Sequence, residues 1–265
     1  MSMLKKSNLH YKGKKAKVRK NEAGYGAYIQ EGAEIGRNVE IKPFAVVLSG
    51  AVIEDNCVIG DHCIIGHPTK LQLQKADFSA TSPKVADLVV KEPITKIGEG
   101  SIIRSGSIIY RHVKIGKNLR TGHNVLVREH VTIGDNCVVG TQAVLDGYIR
   151  LGDRSMVQSQ CYLAQSVKVG KGVFIAPGCI FMDNKKIILG KGLAGINVGD
   201  YARIGGGSKI LPGVTVGEHV LVGAGSVVTK DIPSRAVAYG VPAVVRRFQN
   251  EAEIKEYMNS IAEWE

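Results

Sequence analysis

One stretch of this 265-residue chain, Thr121-Gly-His-Asn-Val-Leu-Val-Arg-Glu129, sets an imidazole and a carboxylate six residues apart. Either His123 or Glu129, within hydrogen-bond reach of an amine or hydroxyl, could take its proton as it attacks an electrophile, typically for ~10²–10⁴-fold in rate. A solvated outer surface is the ordinary alternative for such residues. The five cysteines, Cys57, Cys63, Cys137, Cys161 and Cys179, occupy one repeating phase of the chain and read as small core residues, neither nucleophiles nor a disulfide set. His62 and His67 are five apart, and no third histidine follows them in phase. They read as exposed histidines, so no metal is expected.

The element that positions these side chains is a six-residue repeat. From Ile97 to Ile175 an aliphatic residue recurs every six positions, with Thr121 the one departure, and Phe181 follows in the same register. Earlier and later blocks run from Ile29 to Ile65 and from Ile204 to Val228. A second small or branched residue follows each aliphatic by four, and glycine often follows it directly, as at Gly98, Gly116 and Gly134. We read that glycine as the permissive backbone of a corner. Two inward positions per six residues describe a short strand and a turn, and three such sides make an 18-residue coil stacked at the ~4.8 Å spacing of parallel strands. The predicted fold class is all-β, a parallel β-helix with a long inserted loop and a short C-terminal α-helix.

In that winding His123 stacks near Ser105, Thr141 and Ser159. Glu129 stacks near Arg111, which could hold it ionised, and near Gly147, which leaves space beside it. Two insertions, about 67–96 and 187–203, break the register of a 29–248 domain and read as functional loops. Residues 249–265 carry Ile254, Tyr257, Met258, Ile261 and Trp264 at helical spacing, as a helix capping the coil or packing on a neighbouring subunit.

Composition fits a solenoid, with 32 glycines against 5 Phe and 1 Trp, many corners around a narrow interior. The net charge of +11 would suit nucleic acid if it were spread over a face. Eight of the basic groups instead crowd the first twenty residues, so 1–28 reads as a basic arm, either solvated or meeting an anionic substrate or surface, and no nucleic-acid partner is expected. There is no apolar run long enough to span a membrane and no signal peptide, so we expect a cytoplasmic protein with no membrane partner.

Three segments carry a resemblance. TGHNVLVREHVTIGDNCVVGT at 121–141 and MVQSQCYLAQSVKVGKGVFIAPGCIFMDNKK at 156–186 resemble the hexapeptide-repeat acyltransferases that N-acylate nucleotide-linked amino sugars. ILPGVTVGEHVLVGAGSVVTKDIPSRAVAYGVPAVVRRF at 210–248 is similar to the ending of hexapeptide acetyltransferases generally. The resemblance implies a left-handed β-helix and a homotrimer with its active site in the groove between prisms. It also implies acetyl-CoA or another acyl-CoA as co-substrate, and a dTDP- or UDP-linked amino sugar, in surface polysaccharide biosynthesis, as acceptor. Glu129 is the first candidate for the base and His123 the second. Arg128, Asp183 and Asn184 are candidates for substrate binding, the last two matching the family's Asn-Asp pair in reversed order. Lys185-Lys186-Ile187 follows where Tyr-Pro would be expected.

Ala176 or Gly178 could donate a backbone N–H to the oxyanion. Gly205, Gly206, Gly223 and Ala224 would let the pantetheine arm approach, and Lys230 and Arg246 would meet phosphates. An O-acyltransferase acting on a sugar or serine hydroxyl is the alternative, and a non-catalytic or metal-dependent β-helix protein is a third reading.

Overall fold

The computed structural model describes residues 17–18, 26–69, 94–188 and 191–263. Almost every strand is two or three residues long, and each pairs in parallel with the strand one coil before it and one coil after, typically 18 residues away. Three sheets of 12, 10 and 9 strands result, and they form the three sides of a prism. On the first face, for example, Arg120–Thr121 lies against Val138–Val139. On the second, Leu126–Val127 lies against Val144–Leu145. On the third, Thr132–Ile133 lies against Arg150–Leu151. Backbone groups are therefore satisfied between coils, and no coil is stable alone.

Both inward positions behave as the six-residue period requires. The aliphatic column and its partner column, all five cysteines included, are buried in one continuous core. Burial pushes the thiols of Cys57 and Cys63 up to about 11 and that of Cys137 to about 12, as expected for inert packing groups. Serines in the partner column stay satisfied by donating to corner carbonyls, as Ser101 Oγ does to Gly98 O at 2.7 Å.

The glycine after each aliphatic has a different cause from the one its position suggests. Gly98, Gly116 and Gly134 do not adopt positive φ. They are required because the next coil passes too close: a Cβ on Gly98 would lie 2.3 Å from Gly116 O, and one on Gly205 2.4 Å from Ala224 N. The left-handed backbone falls two residues later, at Asn56, Asn118, His130 and Tyr148 among others, with φ near +55 to +60°. Asn is among the non-glycine residues that best tolerate it.

The first insertion lies mostly outside the described residues. Lys96 pairs with Val52 across 44 positions where 18 would be regular, so the excursion adds 26 residues. The second is a hairpin rather than a loop. Asn184–Ile188 pairs antiparallel with Lys191–Leu193, and Asn197–Val198 is already back on the third face. Within the segment read as an arm, Lys17–Val18 pairs with Glu40–Ile41 and adds a rung to the first face.

At the other end Ala236–Gly240 and Ala243–Phe248 close the first face as an antiparallel hairpin. The helix Glu251–Ala262 then folds back along the prism. A capping box of Asn250 and Glu253 starts it, Ile254 and Ile261 are buried, and the Tyr257 hydroxyl donates to Gly172 O at 3.0 Å.

Candidate functional site

The corners decide which side chains meet. The corner between the first and second faces carries His123 and, three to five coils further on, Ala176, Gly178, Gly205, Gly206, Gly223 and Ala224. The corner between the second and third faces carries Arg128, Glu129, Asp183, Asn184 and Lys230. His123 and Glu129 belong to successive sides of one coil and so sit on different edges, which the six-residue spacing obscured.

On the second corner the polar residues form a chain of contacts. Arg128 grips Glu129 with two donors, Nη2 to Oε1 at 2.9 Å and Nε to Oε2 at 3.2 Å. Its Nη1 donates to Asp146 Oδ1 at 2.7 Å, and the Tyr162 hydroxyl donates to Asp146 Oδ2 at 2.7 Å. Such charge-assisted forks fix geometry as well as adding energy. The partner of Glu129 is thus Arg128 and not Arg111, whose side chain is fully buried and whose pKa burial lowers. Gly147 offers little room: a Cβ there would lie 3.2 Å from Glu129 O.

Tyr162 is pushed up to about 12, first by burial and then by its bond to Asp146, with the charge of Asp183 adding to it. Tyr162, Phe181, Met182 and Asp183 help line a pocket of about 330 Å³ under the hairpin. The Asp183 carboxylate has no hydrogen-bond or ion-pair partner among the described residues, whereas Asn184 is spent on the hairpin, donating to Ile188 O at 2.8 Å and accepting from Lys186 N at 3.0 Å.

The first corner is its opposite, a strip of backbone. The N–H groups of Ala176 and Gly178 are not available to an oxyanion, because they bond to Ile204 O at 2.9 Å and Ser159 O at 3.0 Å. Free donors come from another position. At the third corner the middle N–H is capped by a side chain one coil on, as Lys117 N is by Asp135 Oδ1 at 2.7 Å, and at His123 by Thr141 Oγ1 at 3.2 Å. Gly206 has Ala224 above it instead, and among the described residues no side chain caps the N–H of Gly206 or Ala224. Gly207 and Gly225 leave open space where a side chain would stand. Tyr239 ends this strip beside Gly223, with the Arg246 guanidinium 5.1 Å from its ring centre. Lys230 is exposed on the other corner, apart from it.

His123 is exposed at its corner. His62 stacks on Phe44, the His67 ring lies tilted against Tyr110, and among the described residues no three His, Cys, Asp or Glu side chains converge as a metal site would need. Sequence reasoning passed over Asp146, Tyr162 and the ring residues of the second corner, since only the 18-residue stacking brings them to Arg128.

Family models fit the repeats. The bacterial transferase hexapeptide model (six repeats) matches residues 32–71, 112–147 and 195–230. The hexapeptide repeat of succinyl-transferase matches 130–165. The chain carries the hexapeptide repeats of bacterial transferases. Solved structures similar to this chain include the UDP-N-acetylglucosamine acyltransferases of Campylobacter jejuni (19% identity, 88% of this chain and 81% of that one, TM-score 0.45) and Bacteroides fragilis (21%, 88% and 81%, 0.47). A third is a variant of perosamine N-acetyltransferase from Caulobacter crescentus solved with CoA and GDP-perosamine (26%, 53% and 56%, 0.27). No curated protein sequence matches the chain. No helix among its described residues is long and apolar enough to cross a membrane.

Proposed function

We propose that the protein transfers an acyl group from an acyl-CoA to the amine of a nucleotide-linked amino sugar. One observation carries this reading: a bare backbone strip with uncapped N–H donors on one edge of the prism, and a cluster of carboxylates, guanidinium and phenol on another. The strip suits an extended amide-bearing arm, whose carbonyls the N–H groups of Gly206 and Ala224 would meet. The cluster suits a polar, amine-bearing acceptor, with the unpartnered Asp183 carboxylate facing the amine.

Because the two halves lie on different edges of one prism, a complete site needs the strip of one protomer opposite the cluster of another, as in a homotrimer. In the reaction the amine nitrogen bonds to the thioester carbon, the C–S bond breaks, the nitrogen loses a proton, and the CoA sulfur leaves as thiolate. Asp183 accepts that proton, and Arg128, held by Glu129 and Asp146, orients the acceptor. Positioning supplies much of the rate, since an unprotonated amine is already a competent nucleophile.

A hydroxyl acceptor is the second reading, favoured by the exposure of His123 on the same edge as the strip. The test is CoA release from acetyl-CoA with UDP- and dTDP-linked amino sugars, in Asp183→Asn, Glu129→Gln and His123→Ala variants. We expect about a 100-fold loss in Asp183→Asn and a small change in His123→Ala. Near-total loss in His123→Ala with Asp183→Asn unaffected points to the hydroxyl acceptor, and release that ignores every sugar overturns both.

A further inference from the structure

The second corner carries a feature that acyl transfer by itself does not call for. His112, His130 and Tyr148 occupy the same left-handed corner position in three successive coils, with φ of 63°, 60° and 54°. Their rings stack face to face, His112 on His130 with centroids 5.0 Å apart and planes 4° apart, and His130 on Tyr148 at 4.7 Å and 22°. The next residue in the column, 18 positions on, is Ser166, and on it sits Gly195, where a Cβ would come within 2.4 Å of Ser166 O. The ring column therefore stops at Tyr148, while the corner continues for two steps with side chains too small to cover it.

Tyr148 is 54% exposed. The uncovered steps rise about 4.8 Å each, so they leave height for one more planar ring. A ring there would continue a stack whose lower members already hold Tyr148 flat. At the second of these steps, between Asp183 and Gly195, the hairpin leaves the prism, and it brings Lys185 and Lys186, both exposed, to the same edge as Asp183. From bottom to top the edge thus presents an aromatic face, a vacant step, a carboxylate at the pocket and two ammonium groups. A molecule that carries an aromatic ring, an amine and two or more negative charges would find a partner of each kind on this edge.

We propose that Tyr148 is the stacking platform for the nucleobase of the acceptor, with the diphosphate met by Lys185 and Lys186. This rests on the reading of a nucleotide-linked acceptor and adds which residues recognise the nucleotide. Tyr148 is a binding residue remote from the reacting atoms, so its loss acts on acceptor affinity and leaves the acyl donor untouched. Phenylalanine keeps the platform because the stacking face, not the hydroxyl, makes the contact.

The experiment is calorimetric binding of UDP, dTDP, ADP, glucosamine 1-phosphate and CoA to the wild-type full chain and to Tyr148→Ala, Tyr148→Phe and a Lys185→Ala/Lys186→Ala double variant, with circular dichroism melts to confirm that each is folded. Removing a base-stacking aromatic ring typically weakens binding by about tenfold or more. We expect that loss for UDP or dTDP in Tyr148→Ala, near-wild-type affinity in Tyr148→Phe, a smaller and salt-dependent loss in the lysine variant, and unchanged CoA. Equal affinity of Tyr148→Ala and wild type for UDP and dTDP overturns the proposal. So does a loss confined to ADP and CoA, which assigns the ring to the acyl donor, or one confined to glucosamine 1-phosphate, which assigns it to the sugar. Tyr148-dependent UDP binding in a protein that acylates no amino sugar counts for the platform and against acyl transfer, so the two can fail separately.

Discussion

Two edges of the same prism share one backbone and one hexad, yet they are built for opposite purposes. On the edge between the first and second faces, the last coils carry Ala176, Gly178, Gly205 to Gly207 and Gly223 to Gly225, and side chains are removed until bare peptide faces outward. On the edge between the second and third faces, the equivalent positions carry Arg128, Glu129, His130, Asp146 and Tyr148, linked by forked hydrogen bonds and stacked rings. The contrast teaches that corner positions, free of the interior packing demand, are where this fold can change its side chains from coil to coil. What looks like uniform repetition in sequence is three separate ladders in space.

The contrast sharpens most at the glycines. Gly205→Ala should cost about 3 kcal/mol, because its Cβ would press on the backbone of the next coil rather than on a movable side chain. Gly207→Ala should cost only about 1 kcal/mol, the backbone penalty at φ +70° with open space around it. Urea denaturation of the two variants checks this, and equal losses would mean that the strip is not shaped by close approach.

Next in size is Arg128→Leu, which leaves the part-buried Glu129 and Asp146 carboxylates without their shared donor. We expect a loss of about 2 kcal/mol in stability, with transfer slowed further than stability explains. Arg128→Lys should recover charge but not the fork, and so restore stability better than activity.

Tyr162→Phe removes one bond to Asp146 and should cost about 1 kcal/mol. Spectrophotometric titration should also lose a phenol that ionises near pH 12, above the ordinary value of 10 because burial and Asp146 disfavour the phenolate.

The smallest effect concerns His112, held below its ordinary 6.5 by burial first and then by His130 and Arg111, with Glu129 opposing. The folded protein then binds fewer protons than the unfolded chain as pH falls through 6.5, so stability should drop on going from pH 7.5 to 5. His112→Asn should flatten that slope in denaturation series. A slope that stays the same would assign the pH dependence to another group.

Much of the architecture could be read from spacing alone. An aliphatic every six residues with a small partner four later places Ile97, Ile103 and Cys137 inside, since only a three-sided winding can bury both columns. The second insertion could be seen as a break in register but not as the hairpin of Asn184–Ile188 and Lys191–Leu193, because antiparallel pairing over so few residues leaves little pattern. For the site, Arg128, Glu129 and Asp183 could be picked out as polar residues on outward positions. Their partners could not, because Asp146 is one coil from Arg128 and Tyr162 a further coil on, and the chain from Arg128 through Asp146 to Tyr162 forms only through stacking.

By itself, then, the order of residues determined the period, the interior and the outward positions, because burying two columns at a fixed spacing decides which side chains face in; the hand of the winding is not set by that spacing. Tertiary structure decided that His123 and Glu129 face different edges, that Arg128 rather than Arg111 holds Glu129, and that the glycines are spaced for contact rather than for φ. These depend on distances across the 18-residue rise and around each corner, and a linear sequence holds no such distances.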